Sequence, residues 1–310
     1  MSLAVEANAP SLDLGLSKDR IAETFAPFVA RDIGPGETAE WSALIAGRGK
    51  KILKRRLRRQ LLGWMSGAGR PPEVVEGVYE KTWTQTSLDN LVDPKARAVP
   101  CVWGPQRMMA AGQGLKRVHL LHLMRLIEQL QPKSVLEVGC GIGINLLILA
   151  ARFPDITFNG IDLTARGIAS IQEISAQDTL PQVLLDYSPE PARDAAAHRR
   201  IQVQQGSAAA MPYGDNEFDL IYSVAALEQM EAIRPRVMAE LKRVSRGHVA
   251  MVEAFRDWNL SGMRRNYIVA QDYFSARLSD LPKYGLQPVL ATDDMPTKVN
   301  MGLGLVVAAT

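Results

Sequence analysis

Residues 137–143 read Glu-Val-Gly-Cys-Gly-Ile-Gly, which places three glycines at alternate positions, the first of them two residues after an acidic residue. The apolar run Val135–Val138 predicts a buried strand, and the apolar segment Ile144–Phe153 predicts a helix. A glycine turn between a strand and a helix lets backbone N–H groups approach a ligand where a Cβ would intrude. The segment therefore predicts a ligand-binding turn.

The spacing of the glycines narrows the choice of ligand. A dinucleotide fingerprint, G-x-G-x-x-G, needs glycine at position 144, where Ile144 stands instead. A second predicted strand, Thr157–Leu163, carries Asp162 near its end. A carboxylate at the tip of such a strand can accept hydrogen bonds from both hydroxyls of a ribose. The pattern E-x-G-x-G-x-G with this later acid resembles the class I S-adenosylmethionine-dependent methyltransferases.

Further segments follow in the order that this resemblance implies. Ile201–Ser207 predicts a third strand, Met211–Ser223 resembles the family's turn into strand four, and His248–Ala254 predicts strand five. The resemblance covers roughly 190 residues and leaves the first 110 outside it. An unrelated α/β sheet with a glycine-rich first turn is the alternative, which the shared order of four motifs disfavours.

The resemblance implies S-adenosylmethionine as the cofactor. It implies that Gly139 and Gly141 approach the methionine part, that Glu137 orients the turn, and that Asp162 holds the ribose. Ser207 and Ala208 stand where the family often has an aspartate. The full set of cofactor-binding residues that it implies is Glu137, Gly139, Gly141, Asp162, Leu163, Ser207, Ala208, Ser223 and Val224.

Aromatic and charged side chains outside these motifs are candidates for contacts with the methyl acceptor. Ring faces attract a sulfonium cation, and arginines suit an anionic or zwitterionic substrate. A purely structural role, sealing the N-terminal helices onto the sheet, is the alternative. The candidates are Tyr79, Trp83, Trp103, Glu228, Arg256, Tyr267 and Tyr273.

The identity of the acceptor is less constrained. Methyltransferases that act on planar amino groups resemble one another in an Asn/Asp-Pro-Pro-Tyr motif after strand four. This chain has Ser223-Val224-Ala225-Ala226 at that position, which disfavours such an acceptor. We expect a small polar metabolite that is carboxylate-like or amino-acid-like, methylated on oxygen, nitrogen or sulfur, with methionine S-methylation as one possibility. The alternatives are a membrane-associated glycan or lipid intermediate, and a scaffold that binds the cofactor without turnover.

Helices that alternate with strands predict an α/β fold with a parallel sheet covered on both faces. The resemblance implies a Rossmann-like seven-stranded sheet in the order 3-2-1-4-5-7-6 with strand seven antiparallel. Two strands predicted near the end of the sequence, Leu286–Ala291 and Gly302–Ala309, are consistent with the antiparallel edge of this sheet. We expect a helical N-terminal extension over residues 1–112, with residues 73–110 acting as a lid, and the methyltransferase domain over 113–310.

The net charge of the 310 residues is only +3, but seven basic residues lie between Lys50 and Arg59. Leu53, Leu57, Leu61 and Trp64 recur at helical spacing, which predicts a basic amphipathic helix. Such a helix can contact a membrane surface or nucleic acid. We favour a solvated helix whose leucines pack on the catalytic domain or on a second subunit. Nucleic acid is not favoured, whereas peripheral membrane contact and a homodimer stay open.

The remaining composition favours a cytoplasmic protein without a metal. Two cysteines, Cys101 and Cys140, stand far apart and suggest no disulfide framework. Hydrophobic residues make up 47% of the chain, enough for a proper core, and no apolar run is long enough for a membrane span. His119 and His122 lie three residues apart, a spacing that can suit a metal, but no third ligand is nearby in sequence.

Overall fold

The computed structural model describes residues 12–62 and 70–310 and contains two β-sheets with helices packed against them. The strands are β1 (Val29–Asp32), β2 (Ala98–Trp103), β3 (Gln106–Ala111), β4 (Ser134–Val138), β5 (Thr157–Asp162), β6 (Gln202–Gln205), β7 (Phe218–Val224), β8 (Ser245–Glu253), β9 (Gln287–Thr292), β10 (Thr297–Lys298) and β11 (Gly304–Ala309). The helices are α1 (Lys18–Phe25), α2 (Thr38–Leu62), α3 (Pro72–Gln85), α4 (Leu88–Val92), α5 (Gly112–Leu130), α6 (Ile144–Arg152), α7 (Ala165–Ser175), α8 (Gln182–Tyr187), α9 (Arg234–Val244) and α10 (Gly262–Gln271). The first eleven residues of the predicted extension lie outside the described residues.

The larger sheet has seven strands in the order β6-β5-β4-β7-β8-β11-β9. Counted within this sheet, the order is 3-2-1-4-5-7-6, and the last strand, β11, pairs antiparallel with both β8 and β9. The predicted fold class and strand order are therefore confirmed.

The central strands are buried because helices cover both faces of the sheet. Val135, Leu136 and Val138 of β4 are fully buried, with Val135 in one apolar cluster and the other two in a second. Near-continuous apolar residues, rather than alternating ones, are what a parallel strand covered on both sides requires. This burial fixes the carboxyl end of β4, where the glycine turn begins.

A second sheet, in the order β1-β3-β2-β10, was not expected from the sequence. Its hairpin joins β2 to β3 through Gly104, which has a left-handed φ of +53°. Because proline disfavours the interior of a strand, the sequence around Pro94 and Pro100 predicts irregular structure, yet Pro100 lies within β2 opposite Met109. The N-terminal extension is thus partly a β-structure, and β10, from near the C-terminus, pairs with β2.

The region after β8 differs from the prediction. The sequence around Tyr273–Asp280 predicts a helix, but α10 ends at Gln271 and Asp272 takes a left-handed φ of +61°. A 3-10 helix follows only at Leu278–Tyr284. Tyr273 therefore lies in the loop that follows α10 and not within a helix.

Helix α2 carries the predicted basic segment, but its leucines do not pack on the catalytic domain. Leu53, Leu57 and Leu61 are 43%, 50% and 75% exposed, whereas the opposite side, with Trp41 and Ile52, is buried. Helix α2 contacts α10, and Arg59 donates a hydrogen bond to Asp272, directly after α10, at 2.5 Å. Trp64, the last residue of the predicted stripe, lies outside the described residues. The expectation that the leucine stripe packs on the same chain was therefore wrong. None of the described helices is long and apolar enough to cross a membrane.

Candidate functional site

The glycine turn between β4 and α6 accepts only glycine at its contact points. Gly139 and Gly141 have φ values of +74° and +53°. A Cβ on Gly139 would lie 2.5 Å from Cβ of Ala226, and one on Gly141 would lie 2.9 Å from the ring of Trp83. Left-handed backbone and close neighbours together explain why these positions lack side chains. The turn lines a cavity of about 420 Å³.

Glu137 lies beneath this turn and is buried, with only 2% of its surface exposed. Its two carboxylate oxygens accept hydrogen bonds from Nδ2 of Asn145 at 3.1 Å and from the hydroxyl of Tyr222 at 3.0 Å. Burial raises the pKa of Glu137 to about 8. The carboxyl group therefore ties the start of α6 to strand β7 and holds the turn between them.

Asp162 stands at the end of β5 and binds the turn directly. Its Oδ2 accepts a hydrogen bond from the N–H of Gly141 at 2.7 Å, and Oδ1 accepts two from Thr164, at 2.9 Å from N and 2.6 Å from Oγ1. Each carboxylate oxygen has more than one acceptor position, so Asp162 can still accept from a ligand hydroxyl. Asp162 and Leu163 both line the cavity.

The other residues predicted for the cofactor divide into two groups. Ser207, Ala208 and Val224 line the cavity. Ser223 does not, because its hydroxyl is buried and donates to Glu253 at 3.0 Å. The side chain of Ser223 thus positions a carboxylate behind the cavity wall rather than facing the ligand.

Most of the predicted acceptor contacts line the same cavity. Tyr79 and Trp83 come from α3 with ring centroids 5.6 Å apart, and Tyr267 and Tyr273 form a second pair at 6.1 Å. The wall also includes Arg70, whose guanidinium lies over the ring of Tyr273 at 5.4 Å.

Two predicted contacts lie elsewhere. Trp103 ends strand β2 and donates from Nε1 to Asp294 at 2.8 Å, outside the cavity. Arg256 stands in a short 3-10 helix after β8 and does not line the cavity either. Arg256 was predicted because it follows strand five, and Trp103 because it is an aromatic residue of the N-terminal segment, but neither side chain lines the cavity.

Glu228 and Glu253 form a buried acidic pair beside the glycine turn. Glu253 accepts hydrogen bonds from Ser223 Oγ and from the backbone N–H groups of Ala226, Leu227 and Glu228, all at 3.0–3.1 Å. Glu253 is therefore held in place by four hydrogen bonds. Glu228 is 4% exposed, and its Oε2 has no hydrogen-bond partner in the described structure. Burial raises the pKa of both carboxyl groups, and the charge of Glu253 raises the pKa of Glu228 further.

Three further residues at the cavity were missed by sequence reasoning as acceptor contacts. They are Lys116, His119 and Lys298. The helical spacing of Lys116 and His119 could have indicated that they share a face, whereas Lys298 reaches the cavity only because β10 pairs with β2. Among residues 12–62 and 70–310, no group of three or more His, Cys, Asp or Glu side chains is arranged to hold a metal ion.

Comparison with known proteins agrees with this geometry. Residues 136–251 match a family model described as "Methyltransferase domain". "Ajmaline N-methyltransferase" of Rauvolfia serpentina is 26% identical over 41% of this chain and 41% of its own length. "Probable tocopherol O-methyltransferase, chloroplastic" of Oryza sativa subsp. japonica is 30% identical over 37% of this chain and 26% of its own. The chain thus spans less than half the length of these curated relatives.

A solved structure gives the same result for the fold. The crystal structure of the [4+2]-cyclase SpnF matches with a TM-score of 0.50 and 15% identity, over 79% of this chain and 97% of that one. At this identity the match supports the fold alone. Together with the family model, the strand order and the glycine turn, it identifies residues 136–251 as a class I S-adenosylmethionine-dependent methyltransferase domain.

The described residues fit S-adenosylmethionine as the cofactor. The backbone at Gly139 and Gly141 borders the cavity without side chains, and Asp162 presents carboxylate oxygens beside it. Ring faces of Tyr79 and Trp83 are suited to a sulfonium charge. The motifs form the part of the cavity where we propose that the cofactor binds (the cofactor half), and helices and loops outside the motifs form the part proposed for the acceptor (the acceptor half).

Proposed function

We propose that this chain transfers a methyl group from S-adenosylmethionine to a small polar acceptor that is carboxylate-like or amino-acid-like. The observation that carries the proposal is one cavity of about 420 Å³ lined both by the glycine turn and by ionisable side chains from other elements. Cofactor and acceptor can therefore meet in one space. The curated relatives are named for ajmaline and tocopherol, which supports a small-molecule acceptor methylated on nitrogen or oxygen.

When bound, the cofactor supplies a methyl group on a positively charged sulfur, and an acceptor displaces it in line. The glycine turn and Asp162 hold the cofactor, while Tyr79, Trp83 and Tyr273 surround the space where methyl group and acceptor meet and limit access of water. Enclosure by aromatic rings is the contribution that α3 makes to the site.

Glu228 is the residue best placed to take a proton from the acceptor. Its Oε2 is buried and unpartnered within the described structure, it lines the cavity, and its loop contacts the glycine turn through Ala226. A hydroxyl or ammonium acceptor must lose one proton on methylation, and Oε2 can accept it. A thioether such as that of methionine loses none, so Glu228 favours oxygen or nitrogen as the methylated atom.

The first experiment is calorimetric titration with S-adenosylmethionine and S-adenosylhomocysteine, followed by an acceptor panel that contains hydroxy acids, amino acids and their amides. We expect sub-millimolar binding of both cofactor forms and formation of S-adenosylhomocysteine with at least one acid. Failure of both to bind contradicts the proposal. Binding without turnover on any acceptor supports the alternative of a scaffold that binds the cofactor silently.

A membrane-associated glycan or lipid acceptor is the second candidate, and the exposed face of α2 favours it. Leu53, Leu57 and Leu61 are exposed beside basic side chains that make no ion pair in the described structure. Those basic residues are Lys50, Lys51, Lys54, Arg55 and Arg58. An apolar stripe flanked by cations is suited to the interface of an anionic bilayer.

A further inference from the structure

One face of α5 forms part of the cavity wall. The residues on that face are Gly112, Leu115, Lys116 and His119, at positions i, i+3, i+4 and i+7. Lys116 is surrounded by protein, yet its side chain keeps accessible surface, as expected for a residue that faces into a cavity. The helix therefore presents an ammonium group and an imidazole side by side.

Lys298 reaches the same place from β10. Its position is fixed by pairing with Cys101 of β2, and its Nζ would lie 3.9 Å from a Cβ on Gly112. Lys116 and Lys298 have no carboxylate within 4 Å in the described parts of the chain, and each lines the cavity. Burial lowers the pKa of Lys116, and the charge of Lys298 lowers it further. Because neither ammonium group forms an ion pair in the described parts of the chain, an anion in the cavity can balance their charge.

His119 adds an unsatisfied polar group to these two cations. It is 3% exposed, and neither Nδ1 nor Nε2 has a hydrogen-bond partner in the described structure. Burial lowers its pKa to about 3, so the imidazole is neutral, with one N–H donor and one acceptor. Leaving both nitrogens unpaired in a buried site costs free energy, which a hydrogen-bonding ligand would recover.

We propose that Lys116, His119 and Lys298 form a subsite that binds a carboxylate or phosphate group of the methyl acceptor. This inference rests on the proposed function and assigns the residues that recognise the acceptor. Lys298 interacts electrostatically with Glu228, so the subsite and the proton acceptor border the same part of the cavity. An acceptor anchored by its anion at the two lysines can thus present a hydroxyl or amine to Glu228.

The competing occupant of this subsite is the carboxylate of the cofactor's own methionine part. The two occupants predict different results for the same variants. If the lysines bind the acceptor, their removal leaves the affinity for S-adenosylhomocysteine unchanged. If they bind the cofactor, that affinity falls.

The experiment titrates two matched pairs of probes into the chain saturated with S-adenosylhomocysteine. The pairs are benzoate with benzamide and phenyl phosphate with phenol, so that each anion has a neutral partner of similar shape. The same titrations are run on Lys116→Met and Lys298→Met, on the charge-preserving Lys116→Arg and Lys298→Arg, and on Lys133→Met. Lys133 is exposed just before β4 and lies outside the cavity wall, so its variant controls for the loss of one charge.

We expect at least one anion to bind about tenfold more tightly than its neutral partner. Which pair shows the preference distinguishes carboxylate from phosphate. Both methionine variants should abolish the preference, while the arginine variants and Lys133→Met keep it, with unfolding temperatures showing that every variant is folded.

Three outcomes would overturn the inference: equal binding of each anion and its neutral partner, a preference that survives both methionine variants, or an equal loss of S-adenosylhomocysteine affinity in those variants. Absence of cofactor binding in the unaltered chain would instead contradict the proposed function. In that case the same titrations without cofactor still test the subsite.

Discussion

The indole ring of Trp83 lies against Gly141, so that a Cβ built on Gly141 would be 2.9 Å from Cζ2 of Trp83. This contact joins α3 of the N-terminal extension to the turn that lines the cofactor half of the cavity. A second contact supports it, because Glu80 of α3 accepts a hydrogen bond from the N–H of Arg166 at the start of α7, at 3.0 Å. Of the proposed lid, residues 73–110, α3 is thus the part that covers the cavity, while β2 and β3 are held in the second sheet.

Trp83→Ala should lower turnover about tenfold or more while changing S-adenosylhomocysteine affinity less than about threefold. The ring closes the cavity over the reacting groups, whereas the cofactor keeps its contacts with the glycine turn and Asp162. Turnover is measured by product formation at fixed times, and S-adenosylhomocysteine affinity by calorimetry. Trp103→Ala is the matched control, because Trp103 lies outside the cavity and should change neither.

Dissociation of an oligomer by Trp83→Ala, with full activity retained, would show that α3 is an assembly arm and not a lid. Light scattering on both tryptophan variants distinguishes the two roles. Deleting the extension is a poorer test, because Phe25 and Phe28 of that region are buried in the main apolar cluster and Phe28 packs against Gly114.

Asp162→Ala should weaken S-adenosylmethionine binding by about 1–3 kcal/mol. The variant removes the acceptor for ligand hydroxyls and also the bond that holds the N–H of Gly141 at 2.7 Å. Calorimetry measures the loss. Asp155→Ala, in the exposed loop before the same strand, should bind the cofactor normally. Equal affinity of the two variants would remove Asp162 from the cofactor site.

The cofactor half of this site could be predicted from sequence because it is local. Strand β4, its glycine turn and α6 are consecutive in the chain. The apolar runs predict the burial of the strand and the helix, and the glycines predict the backbone angles of the turn. Asp162 follows from the same logic at the end of the next strand. Ser223 shows the limit of this reasoning, because a position at a strand tip does not reveal which way the hydroxyl turns.

The acceptor half could be predicted only in part because distant elements form it. Lys298 depends on the pairing of β10 with β2, which are separated by almost two hundred residues. The hairpin that makes this pairing possible was not predicted, because Pro100 and Gly104 are residue types that disfavour a strand. In the sequence, Trp103 and Tyr79 are equivalent candidates for the cavity. The structure distinguishes them, because Trp103 ends β2 and donates a hydrogen bond to Asp294, whereas Tyr79 lines the cavity.

Glu228→Gln should lower turnover by roughly a hundredfold or more and flatten its dependence on pH. The carboxylate form of Glu228 is the one that accepts a proton, and burial raises its pKa above the usual carboxyl range. Turnover in the unaltered chain should therefore rise with pH as Glu228 ionises. Glu253, which raises this pKa, and Arg70 and Lys298, which lower it, set the midpoint together.

Rates across a pH series, with Glu173→Gln as control, test this role. Glu173 is exposed on α7 and pairs with Arg166, so its amide variant should keep the full pH profile. A Glu228→Gln variant with an unchanged profile would exclude Glu228 as the proton acceptor. It would then favour an acceptor atom that carries no proton, such as a thioether sulfur.

The exposed face of α2 predicts binding to vesicles that contain phosphatidylserine. Replacing Lys54, Arg55 and Arg58 together by Ala should weaken that binding by about 3 kcal/mol, since each basic residue near an anionic surface contributes about 1 kcal/mol. High salt should have the same effect because it screens these charges. Sedimentation with vesicles measures both.

A matched triple variant at Lys95, Lys133 and Arg236, which are exposed outside α2, controls for net charge and should bind vesicles normally. Leu57→Ser then separates the apolar contribution, because Leu57 is 50% exposed within the stripe and contributes only if the helix enters the interface. If no variant binds vesicles and Leu57→Ser instead converts a dimer to a monomer in light scattering, the stripe is a subunit interface. The acceptor would then have to reach the cavity from solution, as the proposed small polar metabolite does.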